Sequence, residues 1–118
     1  MTEWNETQPI FLQIRQRLVE MILKGQVKPG EALPSIRQAS ADLAVNPLTV
    51  TKAYQSLVDQ GIVEKKRGMG MYVSDGAHDA LLKQERDKFL AEDWPRIRQQ
   101  IEALGLDLEV LMNKEASI

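Results

Sequence analysis

Residues 33–54, LPSIRQASADLAVNPLTVTKAY, carry the punctuation of two short helices joined by a tight turn. Ser35 suits an N-cap, because its hydroxyl accepts from the orphan N–H groups of a first turn, and Gln38 three residues on completes a capping box. Pro34 bars any backward extension, since it fixes φ and has no N–H. Ile36, Ala39 and Leu43 then recur at helical steps. Asn46-Pro47 restarts the chain, with Asn46 as the next cap and Pro47 where a missing N–H costs nothing. Val50, Ala53, Tyr54, Leu57 and Val58 make the second apolar face; Leu48, Thr49, Thr51, Lys52 and Gln55 point away from it, and none of them is acidic. This spacing predicts a helix-turn-helix, whose second helix can enter a major groove N-terminus first. Taken alone, the pattern serves a purely structural helix pair equally well.

The next stretch shifts that balance. After Gly61 the chain reads IVEKKRGMGMYVS: Ile62 and Val63 begin a strand, Gly68-Met69-Gly70 turns, and Met71-Tyr72-Val73 returns. The tip carries Lys65, Lys66 and Arg67 beside glycines. Glycine permits positive φ and a close approach of backbone N–H groups to phosphate, and clustered cations suit a polyanion. A lone KKR is most simply a solvated loop; directly behind a helix-turn-helix it reads as a wing.

These residues resemble the winged-helix domain of the GntR transcription regulators over residues 9–74. The matching elements are Pro9-Ile10-Phe11 with Gln13-Ile14, Gly25, Pro29-Gly30, Leu33-Pro34-Ser35, Arg37, Leu43, Val45-Asn46, Thr49-Val50, Ala53-Tyr54, Leu57, Gly61, and Gly68-Met69-Gly70 with Val73. The short remainder after Val73 points to the YtrA-like subgroup. The resemblance implies DNA contacts from the start of the second helix, from the first half of the recognition helix and from the wing. Ser35 and Arg37 would hold phosphates, Thr49 a phosphate or a base edge, and Arg67 and Gly68 the adjacent minor groove or its backbone. Many members have Arg where this chain has Pro47 and Thr51, which removes two usual guanine readers; Lys52 would replace part of that reading. Leu48 would either pack on a thymine methyl or cover the helix start. The residues expected at DNA are thus Ser35, Arg37, Asn46, Leu48, Thr49, Thr51, Lys52, Lys66, Arg67 and Gly68.

Around this stretch, 118 residues accommodate one compact domain and an appendage. The hydrophobic fraction of 43% and charged fraction of 27% are those of a globular protein. There is no cysteine, so disulfide and thiolate chemistry are excluded. The start MTEWNETQ lacks signal-peptide features and no apolar run reaches the roughly 20 residues of a membrane span, so a cytoplasmic location is expected. The net charge of −2 is low for a DNA binder. Residues 1–75 hold nine basic and eight acidic side chains and residues 76–118 six and nine, so the tail carries the acid.

Residues 1–8 are polar and expected to be loose, except for Trp4, which would cover a helix end or a partner chain. Ile10, Ile14, Leu18, Met21 and Ile22 mark a first helix between Pro9 and Gly25; its Arg15 and Arg17 are expected in solvent. Val27 to Gly30 is a turn. The fold class expected is mainly α with a small β-hairpin wing: a winged helix-turn-helix over residues 1–75 and a helical dimerisation tail over 76–118. In the tail, Leu81, Leu82, Phe89 and Leu90 form one stripe; Asp93-Trp94-Pro95 interrupts it; Ile97, Ile101 and Leu104 form another, ended by Gly105; Leu106, Leu108, Leu111 and Met112 give a last helix. A second copy of the tail is the economical cover for Leu81, Leu82, Phe89, Leu90, Trp94, Ile97, Ile101, Leu104, Leu108 and Leu111, and a twofold dimer would call for a near-palindromic double-stranded operator. The rival arrangement folds the stripes back on their own winged helix.

The expected function is sequence-specific regulation of transcription, with repression suggested by the subgroup resemblance. An enzyme is not expected: His78 beside Asp79 is the single histidine, and neither cofactor nor metal is called for. The main alternative is a winged-helix adaptor between proteins. A third reading adds a small-molecule effector bound between tail and winged helix.

Overall fold

The computed structural model describes residues 4–116. Of the N-terminal segment expected to be loose, residues 1–3 lie outside the described residues. The chain divides into two compact units, Met1–Leu82 and Lys83–Ile118.

In the first unit, α1 (Ile10–Leu23) packs on α3 (Pro47–Asp59), and α2 (Ile36–Leu43) packs on α3 as well. The hairpin of β1 (Val63–Lys66) and β2 (Gly70–Val73) pairs antiparallel, with Val63 opposite Val73 and Lys66 opposite Gly70. Its core gathers Ile14, Leu18, Val19 and Ile22 from α1, Ala39 from α2, Val50, Ala53, Tyr54 and Leu57 from α3, and Val63, Met71 and Val73 from the hairpin. The segment after the first turn does more than turn. Leu33 N–H donates to the Met71 carbonyl at 2.8 Å, and Val73 N–H donates to the Glu31 carbonyl at 2.9 Å. Residues 30–33 therefore cover the outer edge of β2, which would otherwise be an open template for pairing.

Helix ends fall where local chemistry puts them. Gln38 N–H donates to Ser35 Oγ at 3.0 Å and Leu48 N–H to Asn46 Oδ1 at 2.8 Å. The expected capping box is only half formed, because the Gln38 side chain donates to Asp42 Oδ1 at 2.8 Å, one turn on, instead of reaching back. Between α2 and α3 the chain passes through Ala44 at φ 54°, the one non-glycine residue with positive φ among the described residues. Ser40 ties this turn by donating its hydroxyl to the Val45 carbonyl at 2.5 Å. A left-handed alanine costs about 1–2 kcal/mol, whereas glycine adopts the same conformation freely. Ala44→Gly is therefore expected to raise stability by about 0.5–1 kcal/mol after its greater unfolded-state entropy is counted. Thermal unfolding would show a higher midpoint, and a lower one would mean that the alanine methyl stabilises the turn.

Two expectations about this unit are corrected. Asn5 and Gln13 exchange hydrogen bonds of 2.8 and 2.7 Å, so the residues just before α1 are tied to it, and Trp4 is half-buried beneath the Arg17 guanidinium, 4.7 Å from its ring centroid. Arg15 is not simply solvated: its Nε donates to Ser56 Oγ at 3.1 Å and its Nη2 to Gln60 Oε1, joining α1 to α3.

Helix α4 (Ala77–Lys88) begins inside the first unit. Leu81, expected on the pairing stripe, is fully buried in the winged-helix core together with Ala77. The boundary consequently falls at Leu82 and not at residue 75. The reason is the size of the core: three short helices and a hairpin leave one side open, and the first turns of α4 close it.

The second unit continues α4 through a π-helical turn, Phe89–Asp93, into α5 (Trp94–Ala103), followed by α6 (Leu108–Ala116). Trp94 N–H donates to the Phe89 carbonyl, a bond one residue longer than the α-helical one. Pro95 accounts for it, since it has no N–H and its ring crowds the carbonyl four residues back. Gly105 at φ 66° ends α5, and Asp107 Oδ1 caps α6 by accepting from Glu109 N–H at 2.8 Å. Among the described residues no helix is long and apolar enough to cross a membrane.

Candidate nucleic-acid interface

Helix α3 buries Val50, Ala53, Tyr54 and Leu57, which turns Leu48, Lys52, Gln55 and Asp59 outward along the opposite stripe. The helix is fixed from behind by Tyr54, whose hydroxyl donates to the Pro34 carbonyl at 2.5 Å. Burial pushes the Tyr54 phenol up to about 12, so it stays a neutral donor. This bond locks the recognition helix to the entry of α2, and the two helices present their N-termini as one piece.

At the N-terminus of α2, Ser35 and Arg37 are both exposed; the Ser35 oxygen is engaged as a cap, and Arg37 forms no ion pair among the described residues. Asn46 spends its carbonyl oxygen on the cap of α3 and keeps its amide NH₂ for other partners. Leu48 is 76% exposed, so it does not cover the helix start. Thr49 is half-buried on the flank of α3. The Thr51 hydroxyl donates to the Pro47 carbonyl at 2.8 Å, which leaves it only as an acceptor toward a ligand. The exposed Lys52 stacks its ammonium 4.2 Å from the ring centroid of Phe11.

In the hairpin, Met69 N–H donates to the Lys66 carbonyl at 2.9 Å and closes a turn that contains Arg67 and Gly68. Gly68 at φ 75° sits where a side chain would be strained, so the tip exposes bare backbone beside the Arg67 side chain. Lys66 stacks 4.5 Å from the Tyr72 ring centroid. Met69, singled out in the sequence only as part of a turn, is 67% exposed at the tip. In the sequence Phe11 stood out only as part of the family match and Tyr72 only as part of the returning strand. A faint signal existed for Phe11: Phe11 and Arg15 are four apart on α1, as Lys52, Ser56 and Gln60 are on α3, so the two contacts form successive rungs of one ladder.

His78 approaches Asp79 at 3.4 Å and the Leu23 carbonyl at 3.3 Å, a surface arrangement at the start of α4. The acidic residues and this histidine form no metal-binding cluster among the described residues.

Two short helices at a tight turn, with a glycine-tipped basic ribbon behind them, constitute a winged helix-turn-helix. Residues 11–73 match the bacterial regulatory proteins of the gntR family. The chain is 38% identical over 103 residues to the HTH-type transcriptional repressor YtrA of Bacillus subtilis (strain 168), an alignment covering 87% of this chain and 78% of that relative. It is similar to the solved YtrA of Sulfolobus acidocaldarius, a GntR-family transcription factor, with a TM-score of 0.59 and 36% identity, covering 78% of this chain and 97% of that one. A GntR family transcriptional regulator from Listeria monocytogenes shares the fold over 98% of this chain and 99% of its own, with a TM-score of 0.76 and 23% identity. The protein belongs to the gntR family of bacterial regulatory proteins and is a DNA-binding regulator of transcription. The subgroup expected from the short tail, the YtrA-like one, agrees with the relatives found.

Proposed function

We propose that the protein is a cytoplasmic repressor that binds a near-palindromic operator as a homodimer, reading each half-site with α3 and bracing it with the hairpin. The observation that carries this reading is the outward stripe of α3. It places an exposed Leu48 and an unpaired Lys52 at the N-terminal half of a helix whose opposite face is fully buried. Leu48 suits a thymine methyl; Ser35, Arg37, Asn46, Thr49, Thr51 and Lys52 surround it on the same end of the two helices; Lys66, Arg67 and Gly68 supply the wing contact. Dimerisation through the second unit is supported by its composition of surfaces. None of its residues with described burial is buried, and Phe89, Leu90, Leu104 and Leu108 are exposed, with Trp94, Ile97, Ile101 and Leu111 only half-buried; Leu82, the last residue of the first unit, is half-buried as well. Leu106, Val110 and Met112 add to the same uncovered area. A patch of this extent on a small unit calls for a partner, and an identical tail provides one with matching chemistry.

The test is binding of the full chain to the DNA upstream of its own gene, by gel shift and protection mapping at graded salt. Two protected half-sites related by a dyad are expected, spaced by a helical turn or a multiple of it. Failure to bind any duplex even at low salt would favour the adaptor reading, for which the net charge of −2 is the supporting observation. Arg37→Ala should weaken binding on all sequences and reduce the slope of log affinity against log salt by about two on the full operator, because one phosphate contact is lost at each of the two half-sites. A loss confined to one operator sequence would assign Arg37 to base reading instead.

A further inference from the structure

Lys52 and Lys66 share one feature: each ammonium lies over an aromatic ring, Lys52 over Phe11 at 4.2 Å and Lys66 over Tyr72 at 4.5 Å. Among the described residues neither has a carboxylate within salt-bridge distance. Asp59, on the outward stripe with Lys52, is engaged by the Gln55 amide at 2.8 Å. The two stacks arise from unrelated local geometry. Phe11 comes from the neighbouring helix α1, one turn before the Arg15 that ties α1 to Ser56 and Gln60. Tyr72 lies diagonally across the hairpin from Lys66, on the outer face; Gly70, directly opposite Lys66, has no side chain to block the approach.

We infer that Phe11 and Tyr72 are positioning residues for DNA binding: aromatic shelves that hold the Lys52 and Lys66 ammonium groups ready for phosphate. The inference rests on the proposed DNA-binding function. A free lysine surrenders much rotamer entropy when it is fixed against a phosphate, so holding it beforehand removes part of that cost. A carboxylate would hold it too, but would set a negative charge beside the DNA backbone. A ring face attracts the cation without that penalty and leaves the other side of the ammonium open. In a chain whose net charge is −2, each of the few cations at the interface has to be used efficiently. Closing water out of the interface strengthens the stack further.

The test uses the full chain and its upstream DNA, with Phe11→Leu and Phe11→Tyr each made alone and in a Lys52→Ala background. Phe11→Leu is expected to weaken binding about three- to tenfold, with the salt slope unchanged, since the charge itself remains. Phe11→Tyr keeps the ring face and should retain wild-type affinity. With Lys52→Ala, the leucine substitution should have no further effect. An equal loss in both backgrounds would assign Phe11 a merely structural role and overturn the inference, as would a gain in affinity, which would mean that the ring sequesters the lysine. NMR of the free protein supplies a readout independent of DNA: the Lys52 ε-methylene protons should be shifted upfield by the ring and return on Phe11→Leu. Absence of that shift overturns the inference even where operator binding is intact. A wild-type chain that shows the shift but ignores DNA overturns the function and this role together.

Discussion

Leu81→Ala should destabilise the winged helix by about 2–5 kcal/mol, the range for removing a buried leucine side chain without collapse of the site. Leu81 is fully buried, and its neighbours in the core come from all the elements that present the recognition helix. A domain of this size has only about 5–15 kcal/mol in total, so the loss should be visible as a large drop in urea midpoint and as weakened operator binding at moderate temperature. The measurement should be made at low protein concentration, so that the proposed association of the tails does not mask the local change. A shift below about 0.5 kcal/mol, the level of an ordinary surface substitution, would mean that α4 is not part of the first unit.

A comparable change nine residues on should have a different consequence. Leu90 is exposed in the second unit, where no described residue is buried. Leu90→Glu should leave the thermal midpoint of the winged helix nearly unaltered, yet convert the protein to a monomer by placing a charge in the proposed tail–tail contact. Loss of the second binding head should lower affinity for the full operator by about a hundredfold or more, through loss of effective concentration, while affinity for an isolated half-site stays the same. Sedimentation velocity and anisotropy on full and half operators would check both parts. A variant that remains dimeric and binds normally would move the dimer contact elsewhere. Leu81 and Leu90 were both expected on the pairing stripe of the tail, and the two experiments separate them.

The legible parts of the fold were those whose causes lie within a few residues. Ser35, Asn46-Pro47 and Gly105 set helix ends through their own hydrogen bonds or backbone preferences, and Gly68 marked the hairpin tip. The outward stripe of α3 followed from periodicity alone, and Leu48 stands there at 76% exposure. The missed features have partners far along the chain. The Arg15 contacts with Ser56 and Gln60 span more than forty residues, as does the Lys52–Phe11 stack. The pairing of residues 30–33 with β2 joins backbone to backbone, leaving no side-chain pattern to find.

By itself, then, the order of residues determined the succession of helices, the two-residue alternation of the hairpin, and which faces are apolar. Those properties follow from capping, backbone preference and periodicity, all of them local. Tertiary structure alone decided what each apolar face meets. The start of α4 completes the winged-helix core while the rest of the same helix remains uncovered, because burial depends on the space left by distant elements and not on the spacing of leucines. It also decided the state of Lys52 and Lys66, since an ammonium takes whichever partner the folded chain brings within reach.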